Sequence, residues 1–285
     1  MTNPYINKAL SYAQGLSLLS PNKVAGADGR RVGTHTGNAL EFAEYREYKP
    51  GDDIRRLDWG VFARSEQLMV RQFNEEVDPR CDIVLDESAS MSVPESKGNS
   101  ALGLAALLAV AAVNAGFSIN LWHAAEEWER EQTPESPIEW SPIAFSSDVN
   151  PGDSALNFTG RMLQRGIRIV ISDFLWTSVP EDFLKRVSQG ARKVILLRLD
   201  FPPLISEADF GPLEIIDSES SDSKEFILDA QVLDNFNRKR LTHQELWNRA
   251  AIRNGVDIID ISQSEIDEDF GVKTLVRNLV LATKH

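Results

Sequence analysis

From Pro79 onward, short β-favouring runs alternate with helical stretches. Cys81–Leu85 (CDIVL), Phe117–Trp122, Arg168–Ser172 (RIVIS), Lys193–Leu199 (KVILLRL) and Val256–Asp260 (VDIID) read as strands. Ala101–Ala115, Ser154–Gln164, Pro180–Gln189, Ala230–Asn254 and Lys273–Thr283 read as helices. The first of these is almost wholly apolar, and Asn99 or Ser100 is placed to cap it. Pro142–Phe145 reads as a further short strand in an irregular, acidic stretch over 125–153. Leu213–Ile216 and Glu225–Leu228 read as the arms of a hairpin. Strands alternating with helices predict a doubly wound, mostly parallel α/β sheet of Rossmann-like build. Ligands of such sheets bind beyond the carboxyl ends of the strands, where the strand order reverses.

The pattern upstream of Pro79 is different. The first twenty residues have helical periodicity (Ile6, Leu10, Leu16, Leu19) and stop at Ser20-Pro21. Residues 22–38 read as loop and short strand, Pro50-Gly51 as a turn, and 67–77 as a strand. The expected organisation is an N-terminal helical and β extension, residues 1–78, clasped on the sheet, followed by the α/β domain, residues 79–285. No internal repeat is visible.

Charge narrows the partners. The net charge is -13, yet up to Arg80 the 11 Lys/Arg balance 11 Asp/Glu, so the whole deficit lies in the α/β part. An acidic body repels phosphate backbones, which argues against nucleic acid and in favour of a cation or a basic surface. With Cys81 the one cysteine, no intramolecular disulfide can form, as suits a reducing compartment. The histidines at 35, 123, 243 and 285 have no zinc spacing. The N-terminus lacks the charged and apolar regions of a signal peptide, and the apolar run Ala101–Val113 is too short to span a bilayer. A buried helix and a cytoplasmic location, with no transmembrane segment, are expected.

Two strands end in aspartate, at Asp86 (VLDES) and Asp173 (VISDF). The segment Asp86-Glu87-Ser88-Ala89-Ser90 offers a carboxylate and two hydroxyls at alternate positions. Hard cations such as Mg²⁺, Mn²⁺ or Ca²⁺ prefer such all-oxygen donors. Neutral hydroxyls leave the metal electrophilic and able to accept a carboxylate from a protein ligand. The same residues could also simply cap a helix or shape a turn.

Asp-x-Ser-x-Ser followed by Met91 resembles the metal-ion-dependent adhesion site of von Willebrand factor A domains. That resemblance implies a von Willebrand factor A-like fold, with Asp173 as the aspartate after the later strand. It also implies a middle-loop threonine, which has no clear match. Ser154, ahead of a helix, is the candidate, and Thr159 a weaker one inside that helix.

The stretch over 33–77 is more specific still. Glu41-Phe42, Arg46-Glu47-Tyr48, Gly51-Asp52, Arg55 or Arg56, Asp58-Trp59 and Ala63-Arg64 occur in an order that resembles the bacterial domain-of-unknown-function family 58. With the Asp-x-Ser-x-Ser loop and Asp173, the likeness covers roughly residues 30–200. The Asp-Pro-x-Glu-like element of many relatives is altered here to Asp200-Phe201-Pro202-Pro203. The family implies partnership with MoxR-type AAA+ ATPases and other von Willebrand A proteins, as a non-enzymatic adaptor or chaperone-like component. Arg46, Tyr48, Asp52, Arg55, Asp58, Trp59 and Arg64 could form a structural clasp of ion pairs or a partner-docking surface.

The alternative is a haloacid-dehalogenase-like phosphotransferase with Asp86 as nucleophile. Such enzymes need a second aspartate two residues on, where this chain has Ser88. Serine hydrolysis through Ser88 or Ser90 with His123 ranks last, because no Gly-x-Ser-x-Gly elbow exists. There is also no phosphate-binding Gly-rich loop, so any ATP would be bound by a partner.

Overall fold

The apolar runs after Pro79 become the middle of one sheet. Strands buried on both faces must be hydrophobic almost throughout, which is why they are so legible. The computed structural model describes residues 3–20, 41–50, 52–74, 79–218 and 222–283. In chain order they form α1 (Pro4–Ala13), β1 (Leu16–Leu18), β2 (Glu41–Glu47), α2 (Trp59–Ser65), β3 (Met69–Asn74), β4 (Arg80–Asp86), α3 (Glu95–Asn114), β5 (Ser118–Ala124), β6 (Trp128–Arg130) and α4 (Pro151–Asn157). There follow β7 (Ile167–Ser172), α5 (Pro180–Ser188), β8 (Lys193–Asp200), β9 (Gly211–Ile216), β10 (Ser223–Leu228), α6 (Ala230–Arg253), β11 (Asp257–Ser262), α7 (Gln263–Asp269), α8 (Val272–Arg277) and β12 (Leu281–Thr283).

The chain divides into two compact units, one of Met1–Ala25 with Pro79–His285 and one of Gly26–Asp78. The first helix and strand therefore belong to the larger unit, whereas the sequence grouped them with residues 26–78. The loop and strand expected over 22–38, Gly51, and the last residues of the strand expected over 67–77 lie outside the described residues.

The larger unit is mixed α/β. Its six-stranded sheet has the order β11-β8-β7-β4-β5-β6, parallel except for β6. Alternation along the strands sorts side chains onto two faces. Cys81, Ile83 and Leu85 of β4, with Ile167, Ile169 and Ile171 of β7, face α3 and α1. Val84 and Val170 face the opposite way, toward Phe183, Leu184 and Val187 of α5 and Trp247, Ala250 and Ala251 of α6.

Helix α3 is apolar nearly all round because it is buried nearly all round. At 20 residues it is long and apolar enough to cross a membrane, but most of it is buried within the protein. It begins at Glu95, earlier than the cap expected at Asn99 or Ser100. Gly103 lets it approach its neighbours, since a Cβ there would sit 2.5 Å from Phe270 Cε1 and 3.2 Å from the Tyr5 carbonyl. Gly103→Ala is expected to destabilise the protein by about 1–3 kcal/mol through overpacking, read from the urea midpoint. An unchanged midpoint would mean that Phe270 yields without strain.

Four sequence expectations are corrected. The first helix stops at Ala13, and Gly15 turns the chain at φ +80° into β1, which pairs antiparallel with β12. The terminal segment is accordingly a short helix and a strand, not a helix over 273–283. No strand forms at 142–145; the extra strand is β6, antiparallel to β5 at the sheet edge. The helix expected over 154–164 spans Pro151–Asn157, so Thr159 lies beyond it, exposed. The hairpin forms as β9 and β10 and is mostly exposed.

In the smaller unit β2 and β3 pair antiparallel, with a register shift between Phe42 and Glu44. Helix α2 is capped by Asp58, which accepts from the backbone N–H of Gly60 (2.9 Å) and Val61 (3.1 Å).

Candidate functional site

Strands β4 and β7 are neighbours in the sheet, and the strand order reverses between them. From β4 the chain steps to β5 on one side, then returns to β7 on the other. Asp86 ends β4 and Asp173 follows β7 directly. The two strand-end acids thus lie together at the switch point, where open α/β sheets bind ligands.

Asp86 is fully buried. Its Oδ1 accepts from the Ser88 backbone N–H at 2.8 Å. Its Oδ2 accepts from Ser172 Oγ at 2.6 Å and from Trp176 Nε1 at 3.0 Å. Burial, and after it the charge of Asp173, push the Asp86 carboxyl up to about 7. Ser88 Oγ and Ser90 Oγ are 3.2 Å apart. The loop that carries them is pinned to the next segment: Ala89 N–H donates to the Ser147 carbonyl at 2.8 Å, and Ser147 N–H to the Glu87 carbonyl at 3.1 Å.

Asp173 is also buried. Its Oδ1 accepts from Leu175 N–H at 3.0 Å, and its Oδ2 takes Lys97 Nζ at 2.7 Å. Phe174 stands in left-handed backbone at φ +51°, a conformation that aromatic residues seldom adopt. The turn is held by Phe174 N–H donating to Ser172 Oγ (2.8 Å), and by packing of the Phe174 ring 4.9 Å from Trp247 and 5.1 Å from Trp176.

Ser154 lies in α4 with its hydroxyl already engaged. It accepts from Trp128 Nε1 at 2.8 Å and sits 3.3 Å from the Asn150 carbonyl. Hydrogen bonds and charge link Asp86 with Ser88 and Asp173, and Ser88 with Ser90; none links Ser154 to them. Beside the loop, His123 lies between Glu87 (2.5 Å to Nδ1) and Glu131 (3.3 Å to Nε2). Burial works against a charged ring there, but the two carboxylates outweigh it and hold the His123 pKa above its usual value. No group of three or more His, Cys, Asp or Glu side chains capable of holding a metal occurs among the described residues.

Sequence reasoning missed Lys97, Ser172 and Trp176. Lys97 did leave a signal. A cation in the first turn of a helix opposes the helix dipole, so it calls for a carboxylate partner. Ser172 precedes Asp173 but reads as the last strand residue, and nothing in the pattern marks Trp176 as a donor.

In the smaller unit Arg46 Nη2 meets Asp52 Oδ1 at 2.7 Å, and Asp52 Oδ2 accepts from Lys49 N–H at 2.8 Å. The Arg46 hydrogen bond, with the Lys49 amide, holds the Asp52 carboxyl below its usual range. Asp58 caps α2 and accepts from Tyr45 Oη at 2.7 Å, while Tyr48 N–H donates to the Leu68 carbonyl at 2.8 Å. Arg55 and Arg64 are exposed, and Trp59 is 60% exposed, its ring edge-on to Phe62 at 6.2 Å. Asp52 and Asp58 therefore shape the unit, whereas Trp59, Arg55 and Arg64 present surface.

An uncharacterized protein of Mycobacterium bovis and another of Mycobacterium tuberculosis are each 28% identical to this chain over 234 residues, covering 76% of it and 72% of the relative. The family described as "Protein of unknown function DUF58" matches residues 44–246, a span that takes in the Arg46–Arg64 signature, the Asp86–Ser90 loop and Asp173. The chain belongs to the DUF58 family.

Proposed function

We propose that this chain is a non-enzymatic protein-binding module. Its larger unit is a von Willebrand factor A-like domain whose switch-point edge takes a hard divalent cation, Mg²⁺ first among them. The cation in turn accepts a carboxylate from a partner protein. The observation that carries this reading is the meeting of Asp86, Ser88, Ser90 and Asp173 at the reversal of strand order.

The donor set fits such an ion. It is all oxygen, and two of its members are neutral hydroxyls that lie 3.2 Å apart. Asp86, already accepting three hydrogen bonds, suits an outer role in which it orients the loop and acts through water. Ser88, Ser90 and Asp173 are the residues that would hold the ion directly, and the ion's contribution is a Lewis-acidic position for the partner's carboxylate. Ser154 would serve as the middle-loop donor only after giving up its bonds to Trp128 and Asn150.

Family membership supports the choice of partner, a MoxR-type AAA+ ATPase in the cytoplasm with other von Willebrand A proteins. Trp59, Arg55 and Arg64 supply surface anchors for it. The phosphotransferase alternative asks Asp86 to attack a phosphoryl group. A fully buried carboxylate with both oxygens occupied, and a serine two positions on, favour binding instead.

Calorimetric titration of chelator-treated protein with Mg²⁺ and Mn²⁺ tests the site. Asp86→Ala is expected to weaken metal binding about 10- to 100-fold. Capture of the ATPase should fail with the variant and with chelator. Equal metal binding by wild type and Asp86→Ala would remove the basis of the reading.

A further inference from the structure

Lys97 is 5% exposed, and its ammonium lies 2.7 Å from Asp173 Oδ2. A lysine is rarely buried without a specific reason. Here the reason is local, since Asp173 is buried too and shares the switch point with a second buried carboxyl, Asp86. Lys97 lies in the first turn of α3, where its charge opposes the helix dipole, so the position contributes nothing to the helix itself. The backbone beside it cannot retreat easily. A Cβ on Gly98 would lie 2.7 Å from Phe145 Cδ2 and 2.9 Å from the Met91 carbonyl. Helix α3 thus packs closely at this turn, and the long side chain is the part free to move.

We propose that Lys97 is a tethered counter-ion that closes the cation site, and that a divalent ion must displace its ammonium from Asp173 to bind. The inference rests on the metal reading above and adds a regulating element to it. The charge count favours displacement over sharing. Two carboxylates balance a divalent ion once the ammonium has left, whereas the ion added with the ammonium still in place would set three positive charges against at most two negative ones. Like charges in a buried site repel far more strongly than in water. The side chain has four methylenes and can lift its ammonium toward solvent while its stem stays against the protein. The closed form also ties the start of α3 to the turn after β7. Opening that tie makes the edge available to ion and partner together.

Chelator-treated wild type, Lys97→Met and Lys97→Gln, titrated with Mn²⁺ by calorimetry and by electron paramagnetic resonance, provide the test. Both variants are expected to bind Mn²⁺ about tenfold or more tightly than wild type. Their melting temperatures should fall below wild type in chelator and rise more than wild type on adding Mn²⁺. Lys97→Arg, which keeps the charge, should bind no more tightly than wild type. Binding by the variants with none by wild type would support the closure and make Lys97 the site's standing cation, overturning only the native metal site. Equal or weaker Mn²⁺ binding by both variants, with wild type binding, would overturn the closure and leave the metal reading intact. No binding by any of the four proteins would overturn both. If Lys97→Met does not fold, Lys97→Gln, which keeps a hydrogen-bond donor, decides the same comparison.

Discussion

Asp82→Ala is expected to destabilise the protein by about 3–5 kcal/mol, the cost of leaving a buried charge without its counter-charge. Asp82 lies on the same face of β4 as Asp86, fully buried, and its Oδ2 is 3.7 Å from Arg168 Nε on the neighbouring strand. It also accepts from Trp122 Nε1 (2.8 Å), Asn120 Nδ2 (3.0 Å) and Leu163 N–H (2.7 Å). Truncation strands all three donors and the guanidinium together. Arg168 is 1% exposed, and its Nε makes no hydrogen bond. An arginine cannot shed its proton to escape.

The reverse substitution should be milder. In Arg168→Met the carboxylate keeps its three donors, and burial already raises the Asp82 pKa, so protonation can relieve the lone charge. Urea unfolding of Asp82→Ala, Arg168→Met and the double variant would show the asymmetry. The double variant should be more stable than Asp82→Ala alone. A cost for Asp82→Ala no greater than for Arg168→Met would show that the pair is not the source of the effect.

The second large effect is a pH dependence in metal-free protein. A carboxyl raised in the folded state from 3.8 to about 7 binds more protons folded than unfolded. The sign follows directly: stability from this group is greatest at low pH and falls as pH rises from about 4 to about 7. Roughly three pH units correspond to about 4 kcal/mol as an upper figure. Other carboxylates act in the opposite direction, so Asp86→Ala is the reference. The stability advantage of wild type over Asp86→Ala, both in chelator, should shrink across that window. A difference independent of pH would show that Asp86 ionises in the fold as easily as in the unfolded chain. Saturating Mg²⁺ should blunt the fall if the proposed site binds it, because a nearby cation favours the ionised carboxylate.

The parallel sheet was legible because strands covered on both faces have to be mostly apolar, as in CDIVL, RIVIS and KVILLRL, where single charges such as Asp82 and Arg168 interrupt otherwise β-favouring runs. Asp86 and Asp173 were legible for the same reason: each is the first charge after such a run. The short strands were not. Leu16–Leu18 continues the spacing of the helix before it, and only Gly15 marked the break. The edge strand Trp128–Arg130 pairs on one side only and reads Trp-Glu-Arg, with no alternation to give it away. The partners of the two acids were hidden by distance along the chain. Lys97 is 76 residues from Asp173, and Trp176 is 90 from Asp86. No periodicity within one element encodes such meetings. They appear only once β4 and β7 lie side by side.

The pairing of β1 with β12 joins Leu16 to Thr283 and Leu18 to Leu281, partners 267 and 263 residues apart in sequence. During synthesis the first of these strands leaves the ribosome long before its mate exists. The ladder can close only once β12 has been made, so β1 stays without its mate while everything between them is synthesised, and this long-range pairing belongs to the late steps of folding.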